Sequence, residues 1–466
     1  MIRINSRGAN QYIISEKQRE IIYAPNISLK NECEKRKNAF WEQAGILSTF
    51  QPNFTPFYDV QQLKMNISNL RSVIFEVTDQ CNLACEYCGY GKLYNNYDER
   101  KGKQQTFQNI KLLIDYLVEY WNSPLNISHN NDIGISFYGG EPLLAFPLIK
   151  ETIAYVESLK MKGNIRFVYH MTTNAYLLDK YMDFLAEKEF RLLLSLDGNK
   201  EHDSYRIKKN GKPSFDKVFA NIVALKNKYP DYFSKHVNFN SVLHNRNAVQ
   251  PVVDFIKEQF DKTPTIAELN SNGVDEEKRD EFIKMFKSQT QDVVEPDSCA
   301  TDEELQINPK ALAFNHFVDA FLSNTYQSYT DLFIDETRQS FIPTGTCQPL
   351  KRKLFLTVNN KLLACERIGQ NQILGKVESG KVDINFEGIR DFYAQMYQDV
   401  IPQCRNCAVW RNCGLCVYHI KTVNGRKRCT RFLPKVKASP YFEENLTYIE
   451  QNPGIYNKII DKLDSY

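Results

Sequence analysis

Apolar residues recur along the middle of this chain with two alternating periods. Between residues 71 and 260, short runs rich in β-branched and aromatic side chains alternate with longer stretches whose apolar positions fall at helical spacing. The first pattern is that of strands and the second that of amphipathic helices. RSVIFEV (71–77) predicts a strand and FQNIKLLIDYLVEYW (107–121) a helix. IGISFY (133–138), PLIKETIAYVESLK (147–160) and IRFVYHMT (165–172) predict strand, helix and strand. Residues 178–188 follow as helix, RLLLSLD (191–197) as strand and FDKVFANIVALKNKY (215–229) as helix. HVNFNSVL (236–243) is the next strand, 247–260 the next helix, and a sixth strand falls near Thr265. Continuous apolar strands between helices imply a parallel sheet with both faces covered. The predicted fold class is α/β, a partial (β/α)6 TIM-like barrel; a doubly wound sheet has a similar rhythm.

The flanks read differently. Residues 10–24 predict a hairpin with a polar turn and 29–45 a charged helix, while 261–340 is charged and helical in character. The expected organisation is a small N-terminal element (1–70), the partial barrel (71–270), a helical bridging segment (271–340), a Cys-rich domain of short strands and loops (341–432) and a C-terminal tail (433–466). Lys and Arg number 59 and Asp and Glu 56, a net charge of +3, which leaves no electrostatic footprint for nucleic acid or an acidic membrane surface. No apolar run approaches the ~18–20 residues that span a bilayer, and the N-terminus lacks a secretory apolar core. The expected location is the cytoplasm.

In that compartment twelve cysteines read as ligands or redox groups before disulfides. Cys81, Cys85 and Cys88 fall in FEVTDQCNLACEYCGYGKLY, a C-x3-C-x2-C spacing directly after the first strand. Three thiolates from one loop suit three corners of a [4Fe–4S] cube and leave one iron open, whereas structural zinc sites want four ligands in paired knuckles. The later strands end in polar residues: YGGEP (138–142) with Gly139, Gly140 and Glu141, TTNA (172–175) with Asn174, and SLDG (195–198) with Ser195 and Asp197, followed by HDSYR (202–206) with Arg206. Ligands sit at the C-terminal ends of strands in parallel α/β folds. His170 in a strand and His316 on an apolar helix face read as structural histidines.

The Cys loop, the GGEP and the SLDG-x3-HD-x2-R run resemble radical S-adenosylmethionine (SAM) enzymes, in particular those with a C-terminal SPASM extension, over roughly residues 71–432. The resemblance implies that Cys81, Cys85 and Cys88 hold the cluster and that SAM chelates its open iron. Tyr87 would lie near the adenine, and Gly139, Gly140 and Glu141 at the methionine amino group. Ser195 and Asp197 would lie near the ribose, and Arg206 at the SAM carboxylate. Asn174 is a further candidate for cofactor binding.

Cys404-x2-Cys407-x5-Cys413-x2-Cys416 and Cys429 would alone suit a zinc ribbon equally well; Cys347 and Cys365 upstream exceed one zinc site. The seven resemble the SPASM pattern for two auxiliary [4Fe–4S] clusters. Cys347, Cys365 and Cys416 would serve the first, with its fourth corner open or filled by a group other than Cys; Cys299 from the bridging segment is the competing ligand. Cys404, Cys407, Cys413 and Cys429 would complete the second. Two positions depart from the family. Asn360 stands where it usually has Gly, and the turn is expected to survive because Asn tolerates a left-handed backbone. Cys416 falls one position early.

The chemistry implied is reductive cleavage of SAM to a 5′-deoxyadenosyl radical that takes hydrogen from a peptide residue. The expected function is peptide or protein maturation in an anaerobic cytoplasm. A crosslink or other Cα/Cβ modification of a ribosomally made peptide is preferred, and formylglycine formation by an anaerobic sulfatase maturase is the alternative. A non-enzymatic iron–sulfur carrier is more remote. Glu366 stands where sulfatase maturases carry a proposed catalytic base, Asp, and an ion pair with Arg367 is the competing role. Expected partners are a peptide or protein substrate and an electron donor such as flavodoxin or ferredoxin, with no nucleic acid and no membrane.

Overall fold

The computed structural model describes residues 2–8, 11–15, 20–23, 32–43, 51–55, 58–127, 132–162, 165–289, 309–321, 341–343, 348–411, 413–452 and 454. Cys299 and Cys347 lie outside them. The chain divides into two compact units: residues 1–58, 294–346 and 391–466 form one, and residues 59–293 with 347–390 the other.

The first unit opens with β1 (Ile2–Asn5), β2 (Gln11–Ser15) and β3 (Glu20–Tyr23), an antiparallel sheet in that order. The hairpin expected over 10–24 is β2–β3, and β1 adds a strand to it, pairing Ile4 with Tyr12. The helix Glu32–Gln43 follows.

The second unit is a ten-stranded sheet. β4 (Ser72–Thr78), β5 (Asp132–Gly139), β6 (Arg166–Thr173), β7 (Arg191–Ser195), β8 (Val237–Leu243) and β9 (Thr265–Glu268) are adjacent and parallel in chain order, six strands alternating with helices as the rhythm predicts. The other edge of β4 takes a parallel strand from the Cys-rich region, β10 (Leu354–Leu356). β11 (Lys361–Leu363), β12 (Gly375–Glu378) and β13 (Lys381–Ile384) continue from it antiparallel. A buried latch fixes that edge: Glu76 accepts from the Val358 N–H at 3.0 Å and from Arg100 Nη1 at 3.0 Å.

Burial along the strands corrects one expectation. Val73, Phe75, Ile135, Phe137, Tyr169, Met171, Leu192, Leu194, Val237 and Phe239 share one sheet face by register, and all are buried. Phe239 stacks on Phe260 of the helix Val249–Phe260 at 4.9 Å, so this is the helix-covered face. The opposite face carries Ser136, Tyr138, His170, Thr172, Ser195 and Asn240, and each is only half-buried. The sheet therefore has one dry face and one partly open polar face, as a barrel lined for a ligand requires.

The remainder of the first unit includes the helix Pro309–Phe321, the helices Ile401–Arg405 and Ser439–Gln451, and the hairpin of β14 (Lys421–Val423) and β15 (Arg426–Arg428). Ile4, Ile14, Phe314, Phe317, Phe442 and Leu446 pack into one core. His316, on the same helix as Phe314 and Phe317, is exposed rather than in that core. The helix Phe386–Gln398 stands where only strands and loops were expected; Ile389, Tyr393, Met396 and Tyr397 are buried at helical spacing along it. Among the described residues, no helix is long and apolar enough to cross a membrane.

Candidate functional site

The loop bearing Cys81, Cys85 and Cys88 leaves the end of β4 and is stitched down by main chain from two sides. On one side Gly140 N–H donates to Thr78 O at 2.9 Å and Glu141 N–H to Gln80 O at 2.8 Å. On the other, Ala84 N–H donates to Ile207 O at 2.7 Å and Glu86 N–H to Tyr205 O at 3.1 Å. The paired glycines serve the first contact. A Cβ on Gly139 would stand 2.1 Å from Thr78 O, and one on Gly140 2.0 Å from Gln80 O. No other residue type fits there; the close approach is to the backbone leading into Cys81.

Glu141 is fully buried and its carboxylate is spent within the protein. It accepts from Thr173 Oγ1 at 2.7 Å, from Asn174 N at 2.8 Å and from Leu143 N at 3.1 Å, tying the end of β5 to that of β6. Asn174, so oriented, reaches the loop: its Nδ2 donates to Asn82 Oδ1 at 2.7 Å and lies 3.7 Å from Cys81 Sγ. Leu83 N–H approaches the same sulfur at 3.4 Å. Amide donors aimed at a sulfur favour its thiolate, whereas burial pushes the Cys81 thiol up.

Tyr87, Asp197 and Arg206 meet in a buried network. Tyr87 donates its hydroxyl proton to Asp197 Oδ2 and accepts from Arg206 Nη1 at 3.1 Å. Asp197 Oδ1 accepts from Val242 N at 2.8 Å. Two partners here were not singled out in the sequence. Asp203 accepts from Asp197 N at 3.0 Å and lies 3.6 Å from Arg206 Nε. His244 stacks on the Tyr87 ring at 5.7 Å, with Nε2 3.8 Å from Asp197 Oδ2. Its position was legible, because LHNRN (243–247) is one more polar strand end of the kind that marked the other four. Burial pushes the Cys85 thiol up to about 12, and the Arg206 cation pulls the other way. Ser195 ends β7 half-buried, paired across to Asn240.

Residues 75–258 match the family model of the radical SAM superfamily. That stretch is a radical SAM domain. A stretch of 149 residues, 32% of this chain, is 37% identical to 46% of an uncharacterised protein of Methanocaldococcus jannaschii. A stretch of 198 residues, 41% of this chain, is 30% identical to 49% of the cysteine-type anaerobic sulfatase-maturating enzyme of Clostridium novyi. The chain thus spans about half the length of these curated relatives. A solved structure of native anSMEcpe with bound AdoMet and Cp18Cys peptide superposes with a TM-score of 0.53 over 85% of this chain and 100% of that one, at 18% identity, which shows a shared fold.

A [4Fe–4S] cluster and SAM are the cofactors characteristic of radical SAM proteins, and the residues of the loop suit them. Burial pushes the Cys81 and Cys85 thiols up; the Cys88 charge adds to both and the Cys81 charge adds at Cys85, which places the three thiols together. Among the described residues, no three Cys, His, Asp or Glu side chains are arranged to hold a single metal ion. In the C-terminal region, Cys404 feels Cys413, Cys429 and Cys407, and Cys429 feels Cys413 and Cys407. Those four thiols gather in one unit. Cys365 belongs to the radical SAM unit, in the segment after β11, while Cys416 belongs to the other. Glu366 pairs with Lys353, at 3.0 and 3.3 Å, and not with Arg367; its side chain is 11% exposed, so the pair is not a surface one. Both its oxygens are engaged by the ammonium.

Proposed function

We propose that this protein is a radical SAM enzyme that modifies a peptide or protein. The observation that carries the reading is the three-thiol loop, locked by main-chain bonds at the C-terminal ends of the strands of a sheet with a half-open polar face. Cys81, Cys85 and Cys88 would hold the SAM-binding cluster, and Cys404, Cys407, Cys413 and Cys429 an auxiliary one. When bound, cluster and SAM supply a 5′-deoxyadenosyl radical able to take hydrogen from an unactivated carbon.

The chain's own residues position and protect. Glu141 fixes Asn174, and Asn174 with Leu83 N–H aims donors at Cys81 Sγ. Arg206, buried against Tyr87 and Asp203, sets a cation near Cys85, easing the loss of the thiol proton that ligation requires. Tyr138, Thr172 and Asn240 line the half-open face and would meet the substrate, with Ser195 beside them at the ribose of SAM. Lys353 neutralises Glu366, so a base at that position would first have to leave its ion pair.

Two outcomes on the substrate suit this site: a crosslink or other Cα/Cβ change in a ribosomal peptide, and formylglycine formation. The likeness to a sulfatase-maturating enzyme favours the second as strongly as the altered base position favours the first. Anaerobic incubation of the iron-reconstituted protein with dithionite and SAM should release 5′-deoxyadenosine; no such product sinks the enzyme reading. With a candidate peptide, a loss of two hydrogens without hydrazide capture marks a crosslink, and an aldehyde captured by hydrazide marks formylglycine.

A further inference from the structure

Residues 421–437 carry seven Lys and Arg side chains and no Asp or Glu, in a chain whose net charge is only +3. β14 and β15 lie within this stretch. They are joined by Asn424 and Gly425, both left-handed at φ 49° and 75°, the Asn-Gly turn whose twist suits a two-residue hairpin. The register sets Lys421 opposite Arg428 and Val423 opposite Arg426, so three cations and one valine share a face, all exposed. Like charges directly across a strand pair are unfavourable, and an isolated two-stranded hairpin is marginal.

The hairpin is held by its main chain. Asp399 accepts from Lys427 N at 2.9 Å, and Gln403 donates to Lys427 O at 3.2 Å and accepts from Cys429 N at 3.2 Å. The Asp399 oxygen is thus given to an N–H and not to a cation of the face. β15 runs directly into Cys429, whose thiol feels Cys413 and Cys407. A partner on this face is therefore set beside the four-thiol group. The face offers no aromatic side chain on which a nucleic-acid base could stack.

We infer that Lys421, Arg426 and Arg428 form the docking surface for a small acidic one-electron carrier protein. The inference rests on the reading of Cys404, Cys407, Cys413 and Cys429 as an iron–sulfur site. In the transfer the carrier is oxidised by one electron and this protein reduced by one, with no bond made or broken. Opposed charges would relieve the Lys421–Arg428 repulsion and speed encounter, most strongly at low salt.

The test uses the full-length, iron-reconstituted protein under anaerobic conditions, with a flavodoxin as probe. Lys421→Glu/Arg426→Glu/Arg428→Glu should weaken flavodoxin binding by at least about tenfold. Flavodoxin-driven SAM cleavage should fall with it, while dithionite-driven cleavage stays at the unaltered protein's rate. The neutral variant Lys421→Gln/Arg426→Gln/Arg428→Gln, which removes the repulsion and so is safe for folding, should fall between. Unchanged flavodoxin affinity in both variants overturns the proposal, as does wild-type binding to duplex DNA or phosphatidylserine vesicles in preference to flavodoxin. Absence of dithionite-driven cleavage in every protein counts against the enzymatic reading alone, since the binding titration still decides the docking face.

Discussion

Cys81, Cys85 and Cys88 ride on a loop that a parallel sheet holds by its backbone, between the glycines ending β5 and the 205–208 segment after β7. Cys404, Cys407, Cys413 and Cys429 are carried instead by a five-residue helix, its following turns and the end of a hairpin, with Asp399 and Gln403 as cross-links. The first group is placed by elements that would stand without it. The second is placed by elements too short to be stable alone, so whatever the four thiols hold is part of the architecture. Cys85→Ala and Cys413→Ala are the sharpest way to break that contrast. Cys85→Ala should abolish 5′-deoxyadenosine release yet leave the limited-proteolysis pattern unchanged. Cys413→Ala should lose iron and also open residues 401–434 to protease. Equal protease resistance in the two variants would dissolve the distinction.

Within the barrel, support comes from electrostatics as well as from main-chain hydrogen bonds. Arg206 is the cation among Asp197, Asp203 and the Tyr87 hydroxyl, all buried. Removing one partner of a buried charged network leaves the others unpaired, at a cost of about 3–5 kcal/mol. Arg206→Ala should therefore lower the urea unfolding free energy by that amount, and Arg206→Lys by less. A loss under about 1 kcal/mol would mean that water reaches the network freely.

How far the sequence foretold these features depends on where each signal resides. Five of the six parallel strands were legible because each carries a buried apolar face, with Val73, Ile135, Met171, Leu192 and Phe239 on one side of the sheet. β9 has no buried residue, and its signal near Thr265 was weaker. The open second face was hidden by the same residues: Ile74, Leu193 and Val242 stand at alternate positions among polar ones, so the runs look apolar throughout. The cysteine loop was legible by spacing. The roles of Glu141 and Asp197 were not, since a motif does not tell whether a carboxylate faces a ligand or its own backbone. Short strands were expected over 341–432, but the pairing of β10 with β4 was not, because LFL is too short to carry a signal for its partner. The Asn-Gly of the basic hairpin was a turn signal in plain view.

Asn360 lies where the segment bearing Cys365 turns against the barrel, and it tests whether a substitution for Gly only preserves a turn. Its φ is +62°, as the sequence reading expects of that position. Its side chain does more than a Gly could, accepting from Gln105 Nε2 at 3.0 Å and Asn109 Nδ2 at 2.9 Å. Asn360→Gly keeps the conformation and loses both bonds, about 1–3 kcal/mol. Asn360→Ala loses the bonds and adds about 1 kcal/mol of left-handed strain. Thermal melts should rank wild type above Gly and Gly above Ala; Ala equal to Gly would remove the strain from the account.

The smallest effect falls on Asp203 and isolates the electrostatics of the barrel network from its packing. Burial pushes this carboxyl from its ordinary 3.8 up to about 8, although Arg206 draws it down. Between those values the folded protein keeps a proton that the unfolded chain has released. Its contribution to stability is full below about pH 4, declines as pH rises, and is gone above about pH 8. Asp203→Asn has no proton to lose and can still accept from Asp197 N, so its urea midpoint should fall less than that of the wild type between about pH 6 and about pH 8. Asp399, the carboxylate that braces the C-terminal thiol group, is exposed rather than buried, so a charge-neutral control there, Gln403→Ala, should leave the pH slope as it is. Parallel slopes for Asp203→Asn and wild type would show that Arg206 holds Asp203 ionised through the physiological range, and the network would then be a full ion pair throughout.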